Sequence, residues 1–301
     1  MFKHILVPLD GSSMAEVAIP SAIVLATQFD ATVTLFHVIE KNAPPQIHGQ
    51  RHLTDAHEAN AYLEETAQEF FRKELAVDFH LHAIEAEDVA ESIIAHATEL
   101  SCDTIVMCSH GRGRALHLLL GSIAQRVIAK GSLPVVLIRP DKNGCAPVFS
   151  CKSLLVPLDN DPDHAQALFF ARELARMCGA IIQLAMVIPS FRTLSGQRAA
   201  TSRFLPGTMS ELLELSVQDA HDYLQNQLMA LTAEGFQAGS HVLRGDPATV
   251  IDSAASQLHA DLIVMATHGK LGMEAFWSGS VANKVSSLIK VPLLLIRVEE
   301  I

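Results

Sequence analysis

Ile5-Leu6-Val7-Pro8-Leu9-Asp10 recurs as Leu154-Leu155-Val156-Pro157-Leu158-Asp159, 149 positions further along the chain, and the same offset carries Val38 onto Val187. Beyond that point Asp103-Thr104-Ile105-Val106-Met107 matches Asp261-Leu262-Ile263-Val264-Met265, and Gly121-Ser122 matches Gly279-Ser280, both at an offset of 158. The difference, 158 − 149 = 9, is an insertion between residues 187 and 246. The irregular run Pro189 to Pro206 reads as the longer surface loop that holds it. A chain so similar to itself is a duplication, and one plan must serve both halves.

Within each half, short apolar runs without alternation (Ile5–Leu9, Val33–Ile39, Thr104–Met107, Val135–Ile138) are separated by longer segments of helical period. Strands buried on both faces of a parallel sheet read this way. Ser13 with Glu16 forms a capping box for the first helix, and Asp161-Pro162 supplies an N-cap and N1 proline at the matching place. Asp88 and Asp246-Pro247 start a later helix in the same manner. The βαβαβαβ order with a final strand implies, in each half, an open α/β sheet of five parallel strands flanked by helices. Pro140 to Ser150 reads as the connection, so the expected division is residues 1–140, a linker at 141–150, and residues 151–301.

Length and charge agree with this plan. At roughly 100–200 residues per domain, 301 residues make two domains, each able to bury its own core. The chain carries 22 Lys and Arg against 33 Asp and Glu. Divided at residue 150 the counts are 11 against 18 and 11 against 15, so both halves are acidic. Such a surface repels phosphate backbones and anionic lipid, which argues against nucleic-acid and membrane partners. Five cysteines, an odd number with no CxxC, fit thiols in a reducing compartment. The longest uncharged stretch, Met177 to Phe191, is interrupted by Gly179, Gln183 and Pro189, and Met1-Phe2-Lys3-His4 leads straight into a strand pattern. The expected location is the cytoplasm.

In an open α/β sheet a ligand sits outside the carboxyl ends of the strands, where the strand order reverses. The loop after the first strand carries Asp10-Gly11-Ser12, and the loop after the fourth carries Met107-Cys108-Ser109-His110-Gly111-Arg112. Gly121-Ser122 then opens the helical run Ile123 to Lys130. Glycine lets backbone approach a ligand, and free N–H groups at a helix start cradle phosphate. The second half repeats the arrangement as Met265-Ala266-Thr267-His268-Gly269-Lys270, with nine residues before Gly279-Ser280.

With these residues in place the chain resembles the universal stress protein family, in a tandem form spanning nearly the whole sequence. The signature of its nucleotide-binding members is G-x2-G-x9-G-[ST]. Here it reads Cys108-x2-Gly111-x9-Gly121-Ser122 and Ala266-x2-Gly269-x9-Gly279-Ser280, the first glycine being replaced in both halves. The resemblance implies an adenine-nucleotide α-hydrolase-like fold and an ATP site, with Mg²⁺ as counter-ion. Pro8, Asp10 and Val38 would lie by adenine and ribose; Met107, Gly111, Arg112, Gly121, Ser122 and Ile123 would surround ribose and phosphates. In the second half the same roles pass to Pro157, Asp159 and Val187, and to Met265, Gly269, Lys270, Gly279, Ser280 and Val281. The resemblance also implies that the terminal strands Pro134–Arg139 and Pro292–Arg297 pair, making an intramolecular pseudo-dimer, and it leaves room for two such chains to associate. The acids at 161 and 163 beside Asp159 place extra negative charge near the second set of phosphates. The first site is therefore expected to bind more tightly.

Other features carry less. His80 and His82, at i and i+2 of a strand, share a face, and His48, His52 and His57 cluster in sequence, but no third ligand is fixed for zinc. His110 and His268 order the phosphate loops, and Cys108 reads as a buried thiol. Arg114 reads as a solvated charge, and Phe276-Trp277 as packing or a partner surface. No GxxxxGK[ST] loop or G-x-S-x-G elbow occurs, and G-x-G-x-x-G is broken by Leu116. At most, slow ATP hydrolysis is expected. The alternatives are a nucleotide-free scaffold that keeps the fold, or an ATPase or adenylyl-transferring enzyme.

Overall fold

A computed structural model of the chain describes residues 1–44, 46–47, 50–109, 120–141, 143–159, 161–194, 196–268 and 280–298. The first repeat gives β1 (His4–Pro8), α1 (Ser13–Glu16), α2 (Ile19–Phe29), β2 (Thr32–Glu40), β3 (Gln46–Ile47), β4 (Gln50–Arg51), α3 (Ala56–Phe70), β5 (Val77–Ala86), α4 (Val89–Glu99), β6 (Thr104–Cys108), α5 (Ser122–Lys130) and β7 (Val135–Ile138). The second gives β8 (Ser153–Leu158), a 3-10 turn (Pro162–Ala165), α6 (Gln166–Cys178), β9 (Ile181–Ile188), α7 (Gly196–Phe204), α8 (Pro206–Ala233), β10 (Ala238–Arg244), α9 (Pro247–Gln257), β11 (Leu262–His268), α10 (Val281–Leu288) and β12 (Leu293–Val298). Two compact units result, Met1–Ser150 with Thr267–Ile301, and Cys151–Ala266.

In the first unit the strands run β12-β7-β6-β1-β2-β5. The last five are parallel; β6 and β7, near-continuous apolar runs, are buried along their whole length, whereas the edge strand β5, interrupted by Asp78, His80, His82 and Glu85, is half exposed. The C-terminal strand of the second repeat joins this sheet: β12 pairs antiparallel with β7, Leu293 opposite Leu137 and Leu295 opposite Val135. Each strand thereby covers an apolar edge of the other. Arg297 Nη1 donates to the Gly131 carbonyl at 3.0 Å, and Arg139 donates to the Ser287 carbonyl.

The second unit carries β10-β9-β8-β11, all parallel. Its 28-residue helix α8 packs on β9 and β10 through Met209, Leu213, Ala220, Leu224 and Leu231. The stretch expected to be an irregular loop contains α7, and the insertion appears as α7 together with an α8 that is 28 residues long where α3 is 15. Pro206 is tolerated because it stands in the first turn of α8, where its missing N–H has no intrahelical partner to lose.

Helix starts follow their side chains. Asp88 accepts from the Glu91 amide, and Asp246 from that of Thr249. Asp161 caps the 3-10 turn by accepting from the Asp163 amide. At α1 the cap lies one residue earlier than the spacing suggested: Ser12, with extended backbone, accepts from the Ala15 amide, and Ser13 is already helical. Glu16 is consequently not a capping partner, and its carboxylate instead accepts from the Tyr62 hydroxyl at 2.8 Å. Among the described residues no helix is long and apolar enough to cross a membrane.

Candidate functional site

Strand order in the first unit reverses between β1 and β6: the chain builds β1, β2 and β5 to one side, then returns to lay β6 and β7 on the other. A crevice must open at the carboxyl ends of the strands there. A cavity of about 210 Å³ lies at that point, its floor formed by Pro8, Leu9 and Asp10 after β1, Val38 and Glu40 of β2, and Met107 and Cys108 of β6. Gly121, Ser122, Ile123 and Ala124 bring in the start of α5. The sequence-derived residues Pro8, Asp10, Val38, Met107, Gly121, Ser122 and Ile123 thus line one space. Gly111 and Arg112 lie outside the described residues.

Asp10 is held in place by its own loop. The Ser12 amide donates to Asp10 Oδ1 at 3.0 Å and the Ser12 hydroxyl to the same oxygen at 2.6 Å. Gly11 makes this turn feasible. Its φ of +83° is left-handed, and a Cβ there would stand 2.7 Å from two carbons of Leu53, so neither backbone nor space admits a side chain. Gln50 in β4 ties the following segment down by accepting from the Ser13 amide at 2.8 Å.

The start of α5 supplies donors. Its first i to i+4 bond runs from the Gln125 amide to the Gly121 carbonyl, and no side chain caps it. The Ser122, Ile123 and Ala124 amides, which precede that bond, have no partner within the helix. Gly121 is a correction to the expectation of free amides: its N–H donates to the Ser109 carbonyl at 2.8 Å, which fixes α5 to the end of β6. Its φ of −58° needs no glycine, so its value there is the missing side chain beside the cavity.

Several lining residues escaped the sequence reading. His37, buried in β2, reaches the Leu9 carbonyl with Nδ1 at 2.8 Å and tethers the β1 loop. Glu87, Val89, Ile93 and Arg126 also line the space. Arg126 pairs with Asp88, and Lys130 Nζ lies 3.4 Å from the same carboxylate. Burial works to raise the Asp88 carboxyl, but the Glu91 amide, Arg126 and Lys130 together hold it below its ordinary value. The clue was Arg126 and Lys130 at i and i+4 of one helix, although only the fold brings Asp88 to them. Glu16, near Asp10, is raised chiefly by burial.

In the second repeat Pro157 lies in β8 and Asp159 follows that strand, Val187 lies near the end of β9, and Met265 is in β11. Ser280 caps α10, accepting from the Asn283 amide at 3.1 Å, and Val281 is the first residue of that helix. Gly269, Lys270 and Gly279 lie outside the described residues, as do His48, His110, Arg114, Phe276 and Trp277. Asp159 is engaged by His164, whose Nδ1 is 2.8 Å from both carboxylate oxygens. That hydrogen bond raises the imidazole above its ordinary value against the opposing effect of burial.

His80 and His82 do share a face, and α4 adds His96, which the sequence did not single out. His96 Nδ1 lies 2.8 Å from the Ser92 carbonyl, and its Nε2 lies 3.2 Å from His82 Nδ1. Burial and the neighbouring His96 lower both His80 and His82. Among the described residues no group of three or more His, Cys, Asp or Glu is placed to hold a metal ion.

Comparison with known proteins agrees with the repeat. The model of the universal stress protein family matches residues 1–139 and again 151–297. Universal stress protein Sll1654 of Synechocystis sp. is 35% identical over 139 residues, covering 46% of this chain and 86% of that protein. Universal stress protein Rv2005c of Mycobacterium tuberculosis is 22% identical over 305 residues, covering 97% of this chain and 96% of its own length. A universal stress protein structure from Archaeoglobus fulgidus superposes with a TM-score of 0.68 at 18% identity, covering 99% of both chains. Two matches to one model, laid end to end along a duplicated α/β plan, place this chain in the universal stress protein family, in its tandem two-domain form.

Proposed function

We propose that the protein binds an adenine nucleotide, ATP, in the cavity at the ends of β1, β2 and β6, and acts as a regulatory stress protein of the cytoplasm with at most slow hydrolysis. The observation that carries this reading is the meeting, in one cavity, of the α5 start with Asp10, Val38 and Met107. The two ends of the space differ in chemistry. Val38, Val89, Ile93 and Met107 offer apolar walls to a flat base, while Asp10 and Glu40 offer acceptors for ribose hydroxyls or an exocyclic amine. The Ser122, Ile123 and Ala124 amides, at the positive end of the helix dipole, suit phosphate. Glu40, Glu87 and Asp10 outnumber Arg126, so Mg²⁺ carried in on the phosphates would relieve the repulsion. The charge balance near Asp159 favours the first site over the second.

Native mass spectrometry of gently purified protein, followed by titration of stripped protein with MgATP, tests the reading. An adenine nucleotide retained at one or two per chain, and saturable rebinding, are expected. Protein that emerges empty and gives no binding heat at millimolar ATP would leave a ligand-free scaffold as the correct description. Turnover of many equivalents of ATP within minutes would instead make it an enzyme.

A further inference from the structure

At the offset of 149, Phe2 and Phe29 of the first repeat correspond to Cys151 and Cys178 of the second. The surroundings correspond too. Phe2 and Cys151 precede β1 and β8 with left-handed φ values of 52° and 54°. Phe29 and Cys178 are the last residues of α2 and α6. Lys3 Nζ donates to the Phe29 carbonyl, and Lys152 Nζ to the Cys178 carbonyl. All four side chains are buried. What differs is the contact itself. Two aromatic rings pack with centroids 4.9 Å apart in the first repeat, whereas the equivalent positions of the second hold two buried thiols.

The same position is therefore closed by bulk in one repeat and by a pair of small reactive groups in the other. We propose that Cys151 and Cys178 are a redox-responsive dithiol, oxidised by a hydroperoxide to an intramolecular disulfide that joins the start of β8 to the end of α6. These positions bring side chains into contact in the first repeat, and Lys152, next to Cys151, reaches the Cys178 carbonyl, so the two thiols are placed side by side between the start of β8 and the end of α6. Cys178 is the attacking sulfur. The Cys151 S–H donates to it and the Lys152 ammonium stands beside it, and these outweigh its burial and the charge of Asp261 to lower it below the ordinary thiol value. Cys151, the donor in that bond and the more deeply buried, is raised.

The chemistry balances. The Cys178 thiolate attacks one peroxide oxygen, the O–O bond breaks, and the departing hydroxide (or alkoxide) takes up the proton that Cys178 released. Cys151 then attacks the sulfenic sulfur; the S–S bond forms, the S–O bond breaks, and water leaves with the Cys151 proton. The dithiol loses two electrons and two protons, and hydrogen peroxide becomes two waters.

The full-length protein treated with hydrogen peroxide, then denatured in an alkylating agent and digested, decides the matter. We expect a linked pair of peptides containing Cys151 and Cys178, lighter by two hydrogens, formed in most chains and reversed by dithiothreitol. Cys102 and Cys108, buried elsewhere in the fold, remain alkylatable and serve as internal standards. In Cys151→Ser the sulfenic acid on Cys178 has no resolving thiol and is captured by dimedone; in Cys178→Ser Cys151 stays reduced. Recovery of both cysteines as alkylated thiols, under treatment that oxidises the exposed Cys145, would overturn the proposal. So would a linkage in which Cys145 replaces either partner.

Discussion

Asp10 and Asp159 stand at equivalent places after β1 and β8, and each accepts from the amide two residues on, yet their side-chain partners differ. Asp10 is gripped by Ser12 on a turn that Gly11 alone makes possible, and it borders a cavity. Asp159 is bound by the imidazole of His164, five residues along its own loop. The helix starts differ likewise. Ser122 is inside α5, which has no side-chain cap, whereas the corresponding Ser280 caps α10 and occupies the Asn283 amide. Duplication preserved the backbone plan, while a few side chains in the second copy turned toward satisfying the protein itself. The lesson is that a repeated motif need not be a repeated site.

The comparison breaks most readily at the helix starts. Gly121→Val should weaken ATP about a hundredfold, roughly 2.7 kcal/mol, by filling the cavity beside the α5 amides, while Gly279→Val should change affinity less than threefold. Isothermal titration of both variants checks this, and equal losses would erase the ranking. Next in size, Gly11→Ala should destabilise the protein by about 2 kcal/mol, from the left-handed backbone and the Leu53 contact, read as a lowered denaturation midpoint.

Asp88→Ala removes the α4 cap and the partner of Arg126 and Lys130, for a loss of about 1 kcal/mol in the same assay. The pH dependence has a definite sign. The Asp88 carboxyl is held below its ordinary 3.8, so its contribution is complete above that value and vanishes as pH falls through the folded one. Smallest is the His164 pair, worth under about 1 kcal/mol as a solvent-screened contact. His164 is raised above 6.5, so the contribution is complete below 6.5 and is lost as pH rises through the folded value. His164→Ala should flatten the stability profile in that window, and an unchanged profile would show that the Asp159 contact carries no stability.

Much of this was legible in the chain. Strands buried on both faces must be continuous apolar runs, so β1, β2, β6 and β7 could be read within a residue of their ends. Asp88, Asp161 and Asp246 announced helix starts because a cap is a contact over two or three residues. The α1 cap was misplaced because Ser12 and Ser13 offer the same hydroxyl, and only backbone dihedrals separate them. The run Pro189 to Pro206 looked irregular because α7 buries none of its residues and so has no apolar stripe to display.

Of the cavity, the halves near Asp10, Val38, Met107 and Gly121 were visible through repetition and glycine chemistry. His37, Glu87 and Arg126 were not, since nothing local says that the end of β5 and the side of α5 will face β1. The pairing of His96 with His82, and of Cys151 with Cys178, likewise joins residues 14 and 27 positions apart. Sequence by itself determined the repeat, the parallel strands and the candidate loops, because burial on two faces and helix capping act between near neighbours. Tertiary structure alone decided which of those loops share a cavity and which side chains already have partners, because these depend on strand order, which brings distant segments together.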